Sequence, residues 1–507
     1  MTSADAEPML FAGDRVRTAA AIVERATQAA GGFAAIGIGE GDCIALLLRN
    51  DFAFFEASIA AGMVGAYPVP INWHGTADEA GYVLRDSAAK TLVIHADLLP
   101  GIAHAIPAGI ALFVVDTPAE IAAAYGAGPS ATLPAGAIRW DDWIGGQPRL
   151  ENPDMTPRTA VIYTSGTTGN PKGVRRAPDP GNVALGTAAI GYGLAEPRSR
   201  MVLMNGPMYH SAPNSYARIA FAGHASFVLQ PRFDAEEMLA LIERYRVTDM
   251  HVVPTMFVRL LRLPNDVRGR YDLSSLVHVV HGAAPCPPDV KLAMIDWWGP
   301  VIHEYYGASE TGLITAHSSA EALAKRGTVG RPLPGVEVRI LDDTGTPVTD
   351  GEIGGVYVRH RGPDFTYIGR DADRAEIEID GYVTVGDVGR FDADGYLFLS
   401  DRARDMIISG GVNIYPAEIE AALLAIDGIG DCAVFGIPDE EFGEAVCAFV
   451  QPVAGATLDR ADIRAQLEGK LSRFKIPRLI EFADTLPRED SGKIFKRKLR
   501  EPYWRDA

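Results

Sequence analysis

The feature that most constrains this chain is an alternation of short apolar runs with amphipathic helical stretches over most of its length. Cys43 to Leu48 (CIALLL), Thr91 to Ile94, Ala111 to Val115, Met201 to Met204 and Leu276 to Val280 are runs of the first kind. Ala235 to Tyr245 and Asp289 to Trp297 have helical spacing. Strand–helix alternation of this sort predicts parallel sheets covered by helices. After about Thr328 the texture changes to short alternating strands with Gly and Asp turns (VEVRILDD, GGVYVRH, GYVTVGD, GYLFLSD), which suits a smaller antiparallel, barrel-like unit. From near Asp401 the order becomes strand, helix, strand, helix: Asp405 to Ile408, Pro416 to Ala425, Ile429 to Phe435, Ala445 to Val450, Ala461 to Leu471. The expected fold class is α/β. A large N-terminal domain, residues 1–403, carries parallel sheets covered by helices plus the antiparallel unit. A small α+β C-terminal domain, residues 404–507, follows it.

A chain of 507 residues is too long for one core, and 47% hydrophobic with 22% charged residues is the balance of a globular protein. The formal net charge of −18 argues against a nucleic-acid partner, whose phosphates need a basic face. It leaves room for anionic ligands held by local basic loops and backbone N–H groups. Cys43, Cys286, Cys432 and Cys447 are scattered without metal or disulfide spacing, so reduced thiols in a cytoplasmic enzyme are expected. The acidic N-terminus and the absence of a run of ~20 apolar residues argue against export and stable membrane insertion.

The strongest local signal is Tyr163-Thr-Ser-Gly-Thr-Thr-Gly-Asn-Pro-Lys-Gly-Val174, which follows the strand-like Ala160 to Tyr163. Gly166, Gly169 and Gly173 let backbone approach a ligand closely. Thr164, Ser165, Thr167 and Thr168 supply hydroxyl donors and Lys172 a cation, together a cradle for polyphosphate. It is not the loop of P-loop ATPases, because Pro precedes Lys172 and Gly follows it.

This loop resembles the signature of the adenylate-forming superfamily of acyl-CoA synthetases, adenylation domains and luciferases, and recognisable segments run from about residue 35 to 500. Glu304-Tyr-Tyr-Gly-Ala-Ser-Glu-Thr-Gly312 is similar to the family's Tyr-Gly-x-Thr/Ser-Glu element. The resemblance implies that Tyr305, Tyr306 and Gly307 border the nucleotide, with Tyr306 under adenine and Ser309 at the α-phosphate. It makes Glu310 the ligand of a Mg²⁺ held on the ATP phosphates. His281-Gly-Ala-Ala-Pro-Cys-Pro287 resembles the Gly-Ala-Ala-Pro loop, whose small residues Gly282, Ala283 and Ala284 would lie against adenine and acyl group. Pro207-Met-Tyr-His-Ser-Ala-Pro213 matches the segment whose histidine, here His210, lies beside the reacting carboxylate.

Gly381-Tyr-Val-Thr-Val-Gly-Asp387 resembles Trp-x-x-Thr-Gly-Asp, with Tyr382 for Trp and Val385 for Thr. Asp387 would accept both ribose hydroxyls. In Asp401-Arg-Ala-Arg-Asp-Met-Ile-Ile-Ser-Gly-Gly411 the resemblance puts Arg402 at the ribose, Arg404 at the hinge of a mobile C-terminal domain, and Ser409, Gly410 and Gly411 along the pantetheine arm of CoA. Leu486 to Leu499 contains the Gly-Lys-Ile element, making Lys493 the lysine that bridges carboxylate and α-phosphate.

The implied reaction joins a carboxylic acid to AMP and then to CoA in one site, reset by domain rotation. Two other readings remain open: an enzyme that loads a carrier-protein phosphopantetheine, and a non-catalytic nucleotide sensor with a degenerate ligase fold. Tyr209, Ala212, Asn214, Ser215, Gly282, Leu313 and Ile314 are expected near the acyl pocket, with no cation among them, which favours a hydrophobic acid: fatty, aryl or alicyclic. The chain can be monomer or homodimer.

Overall fold

The computed structural model describes residues 7–128, 133–164, 171–402, 405–409, 412–468, 470–488 and 494–504, with backbone alone at Asp401, Arg402 and Asn413. The apolar runs form two parallel sheets. One is all parallel and orders Tyr67–Pro70, Cys43–Leu47, Thr91–His95, Ala111–Val115 and Ile138–Arg139. The larger one has a parallel centre of Ile302–Ala308, His278–His281, Asp249–Val252, Met201–Met204, Ser226–Leu229 and Met9–Ala12. Its edges are antiparallel, Gly312–His317 and Arg331–Pro332 on one side and Arg15–Thr18 on the other. Helices Ala19–Ala35 and Phe52–Met63 pack between the sheets, so the core strands are buried on both faces.

The second texture folds as expected. Val336–Leu341, Gly354–His360, Tyr382–Phe391 and Leu397–Arg402 pair antiparallel, with Glu378–Ile379 at one edge. Tyr382, which stands where the family has Trp, is built into this sheet: its hydroxyl donates to Glu337 at 2.8 Å and Arg339 and Arg359 stack on its ring.

From Ile407 onward a separate apolar cluster forms around Ile419, Leu423, Val434, Ala448, Leu467 and Ile480. It joins the long hairpin Ile429–Asp439 and Gly443–Pro452 to helices Pro416–Leu424 and Arg460–Glu468. Against the body, Arg262 donates to the carbonyl of Gly430. Among the described residues no helix is long and apolar enough to cross a membrane.

Candidate active site

The glycine-rich segment is a hairpin. Ile162–Thr164 pairs antiparallel with Lys172–Arg176, setting Thr164 opposite Lys172. A Cβ at Gly173 would lie 2.8 Å from the Tyr163 ring, whose hydroxyl is anchored on Asp86 at 2.8 Å, so only glycine fits beneath that ring. Ser165, Gly166, Thr167, Thr168 and Gly169 lie outside the described residues. Lys172 is held by Asp373 at 2.8 Å and sits 5.0 Å from the centre of the Tyr367 ring.

Opposite the hairpin, Ile302–Ala308 runs out of the large sheet and turns back as Gly312–His317 with a bulge at Tyr306/Gly307. Gly307 permits that turn, because a Cβ there would fall 2.3 Å from the Gly312 carbonyl. The turn projects Glu310 toward the hairpin, where its carboxylate lies 3.4 Å from both the Thr164 and the Tyr367 hydroxyls. Arg176 fixes the turn from below by donating to the carbonyls of Ser309 and Glu310. Burial pulls this guanidinium down to about 10 against the opposing pull of Glu310 and Asp364, and it stays charged at neutral pH. Burial likewise pushes the Tyr367 phenol up, so it remains a donor.

Two cavities meet at this point. The first, of about 1470 Å³, is bordered by Ala284, Tyr306 and Asp387 of the body and by Arg488 and Ile494 of the C-terminal unit. The second, of about 980 Å³, is bordered by Thr164, Lys172, His210, Ser309 and Glu310. Ala283, Tyr305, Gly307, Phe495 and Arg497 line both. Tyr306 donates its hydroxyl to Asp387 at 2.5 Å, and the β-ladder sets Asp387 opposite Arg402. Ala283 holds a left-handed φ of 65°, a strain of about 1–2 kcal/mol for a residue with a Cβ, and it sits at the junction.

His210 precedes helix Ser211–Ala222 and faces the second cavity, its Nε2 buried and without a hydrogen-bond partner among the described residues. Burial, helped by His74, lowers its pKa to about 4, so the ring is neutral and can give or take one hydrogen bond. Asp179 accepts from the N–H groups of Val183, Ala184 and Leu185, which pins helix Val183–Gly191 along the same cavity. Leu185, Ala188, Tyr192, Ala212, Ile219 and Leu313 give this end its apolar wall.

For some expected groups packing accounts for part or all of the residue choice. Gly282 is closed off by Tyr305, whose ring would be 2.6 Å from a Cβ, so packing explains its smallness. Tyr305 is mostly core, its hydroxyl 2.9 Å from His251. Ile314 is wholly buried, while Asn214 lines the second cavity and donates its amide to the carbonyl of Met208. None of the seven positions expected at the acyl pocket is a cation, but Arg218, two helical turns beyond Ser211, also lines this cavity and went unnoticed in the sequence.

Ser409 ends strand Ile407–Ser409 opposite Val412. Arg404, Gly410, Gly411 and Lys493 lie outside the described residues, and Arg402 is placed by its backbone alone. On either side of position 493, Arg488 reaches the first cavity while Phe495 and Arg497 line both.

A parallel-sheet body, a threonine- and lysine-bearing hairpin facing a carboxylate, and an aspartate–tyrosine pair at an adjoining cavity define a nucleotide-using α/β enzyme. Comparison with known proteins gives the family. The AMP-binding enzyme model matches residues 3–364, and the AMP-binding enzyme C-terminal domain model matches 418–493. A feruloyl-CoA synthase of Amycolatopsis is 33% identical over 97% of this chain and 95% of its own. A fatty acid–[acyl-carrier-protein] ligase, ScoC, of Streptomyces coeruleorubidus is 31% identical over 99% and 94%. The crystal structure of ATP-bound MatB from Rhodopseudomonas palustris superposes with a TM-score of 0.83 at 28% identity, covering 99% of this chain and 97% of that one. The chain belongs to the adenylate-forming acyl-CoA synthetase family of AMP-binding enzymes and is an AMP-forming ligase.

Proposed function

We propose that this protein is an ATP-dependent acyl-CoA synthetase that activates a bulky, largely apolar carboxylic acid as its acyl-AMP and passes the acyl group to CoA. The observation carrying this reading is the convergence of Thr164, Lys172, His210 and Glu310 with the C-terminal Phe495 and Arg497 on one cavity. Phosphate binders, an acid-side histidine and the flank of Lys493 thereby share a single space.

In the first step Lys172 and the loop hydroxyls hold the ATP phosphates while the neutral His210 orients the acid. A carboxylate oxygen attacks the α-phosphorus, the bond to the pyrophosphate oxygen breaks, and Lys493 stabilises the charge on the reacting oxygens. Asp387, with Arg402 opposite it in the ladder, holds the ribose, and Tyr306 and Ala284 border adenine. Glu310 with the Thr164 and Tyr367 hydroxyls is a fit for Mg²⁺. The described residues offer no cluster of three or more metal-binding side chains, so Glu310 would share the ion with phosphate oxygens and water. When bound, the ion neutralises pyrophosphate charge.

In the second step residues from Asp405 onward turn about Arg404 and bring the Ser409–Gly411 edge to the cleft. The CoA sulfur then attacks the acyl carbon and AMP departs. A carrier-protein thiol is the second reading, favoured by the likeness to the Streptomyces ligase. Pyrophosphate release with a panel of acids, scored against free CoA and against a phosphopantetheinylated carrier protein, decides between them. Thioester on CoA is expected; thioester on the carrier alone moves the function to the second reading, and release with no acid removes both.

A further inference from the structure

Arg218 stands apart from Arg158 and Arg176, the neighbouring guanidinium groups of the second cavity. Arg158 is paired with Asp154 at 2.6 Å, and Arg176 has Glu310 and Asp364 in its field. Arg218 donates only to the main-chain carbonyl of Arg158, and no carboxylate among the described residues contributes to its environment. Burial alone acts on it, lowering its pKa to about 10, which leaves it fully cationic at neutral pH. Arg218 is part-buried on the cavity wall, and a charge drawn away from water without a counter-ion is costly and is kept where something supplies the missing charge.

The cation is on the acyl side. It shares helix Ser211–Ala222 with Ser211, Ala212, Ser215 and Ile219, all lining the second cavity, and His210 precedes the helix at the reaction end. Eight residues of helix separate the Cα levels of His210 and Arg218 by roughly 12 Å. The same cavity carries an apolar wall that includes Leu185, Ala188, Tyr192 and Leu313. A planar fork of donors in a cavity with an apolar wall suits an oxygen acceptor, a carboxylate above all.

We infer that Arg218 is a specificity-determining residue and that the acid carries, at the end remote from the reacting carboxyl, a second oxygen acceptor: a carboxylate or a carbonyl. This rests on the ligase reading and sharpens its substrate class. The distal group docks on the Arg218 fork, the apolar body lies along the apolar wall, and the near carboxylate presents itself beside His210.

The test uses matched acids of equal length, from about four to about ten carbons: the plain alkanoic acid, its ω-carboxy analogue and its ω-oxo analogue. Acid-dependent ATP–pyrophosphate exchange is measured with the wild type and with Arg218→Met. The wild type should favour an acceptor-bearing acid about 10- to 100-fold in kcat/KM at its best length, and the variant should lose that preference while keeping or gaining activity on the alkanoic acid. Preference for the carboxylate or for the carbonyl tells which acceptor is meant. Melting temperature should stay level or rise, since an unpaired buried charge is being removed. Calorimetric titration of the same acids reads the contact without turnover. Tighter binding of the acceptor-bearing acid to wild type than to the variant upholds Arg218 even if exchange is absent, in which case the ligase reading fails. Exchange without any acceptor preference, or equal binding of all three acids, overturns the role of Arg218 and leaves the ligase reading standing.

Discussion

At the scale of single residues, the site depends on two kinds of constraint, one chemical and one steric. Asp387 is chemical: it takes the Tyr306 hydroxyl now and, in the proposed complex, the ribose hydroxyls. Hydrogen bonds to a charged group are worth about 1.5–3 kcal/mol, so Asp387→Ala should raise the KM for ATP roughly 10- to 150-fold. Initial-rate kinetics check this, and an unchanged KM would separate Asp387 from the nucleotide. Gly282 is steric. An alanine there meets the Tyr305 ring and carbonyl at 2.6–2.7 Å, and overpacking of this kind costs about 1–3 kcal/mol, readable as a lower denaturant midpoint. Asp387 and Glu310 are legible through the resemblance that their motifs carry. It cannot separate Gly282, which is small for Tyr305, from Ala283, which faces the cleft, because both look alike in a run of small residues. Arg218 escapes a sequence reading because its meaning comes from the acids that are not beside it, and spatial absences leave no mark on a linear pattern.

At the scale of elements, much is legible and the errors are physical. Helix Ala235–Tyr245 has the bounds its periodicity gives, capped by Asp234. The strand read as Leu276 to Val280 is His278–His281, since Val277 is 51% exposed and His281 wholly buried. Hydropathy cannot foresee a histidine at the core end of a strand. The hairpin Ile429–Asp439 and Gly443–Pro452 outruns its apolar stretches, because the ladder pairs through Gly436 and Pro438, residues that read as turn. Under the Gly-Ala-Ala-Pro loop, Lys291 of helix Pro288–Trp298 meets Glu304 of strand Ile302–Ala308, with His317 2.7 Å from the same carboxylate. Burial pushes Glu304 up, but His281, Lys291 and His317 outweigh it and bring it to about 2. Lys291→Met removes one partner of a buried pair and should cost about 3–5 kcal/mol, measured by denaturant unfolding. A loss under about 1 kcal/mol would mean the histidines suffice as counter-charges.

At the scale of the whole molecule, three textures in the sequence correspond to parallel sheets, an antiparallel unit and a C-terminal unit with its own core. The mobility proposed for that last unit is not legible in composition; it enters through resemblance. Acid stability is a molecular property. His210, His251, His278, His281 and His360 all have pKa values lowered by burial to about 3–4. An unfolded histidine titrates near 6.5, so between roughly pH 6.5 and 4 the unfolded chain binds protons that the folded chain refuses. Stability is therefore fully present above about pH 6.5 and falls as pH drops, by up to about 1.4 kcal/mol per pH unit for each histidine acting fully. Urea midpoints across this range check the slope; a flat profile down to pH 5 would contradict it.

The central claim is that one space serves both half-reactions, with Lys493 needed for the first alone. Lys493→Ala, assayed separately for acid-dependent ATP–pyrophosphate exchange and for conversion of supplied acyl-AMP to acyl-CoA, meets it head on. Exchange should fall by a factor of about 100 or more while thioester formation from acyl-AMP stays near wild type. Equal loss of both halves, or no loss of exchange, would contradict the account.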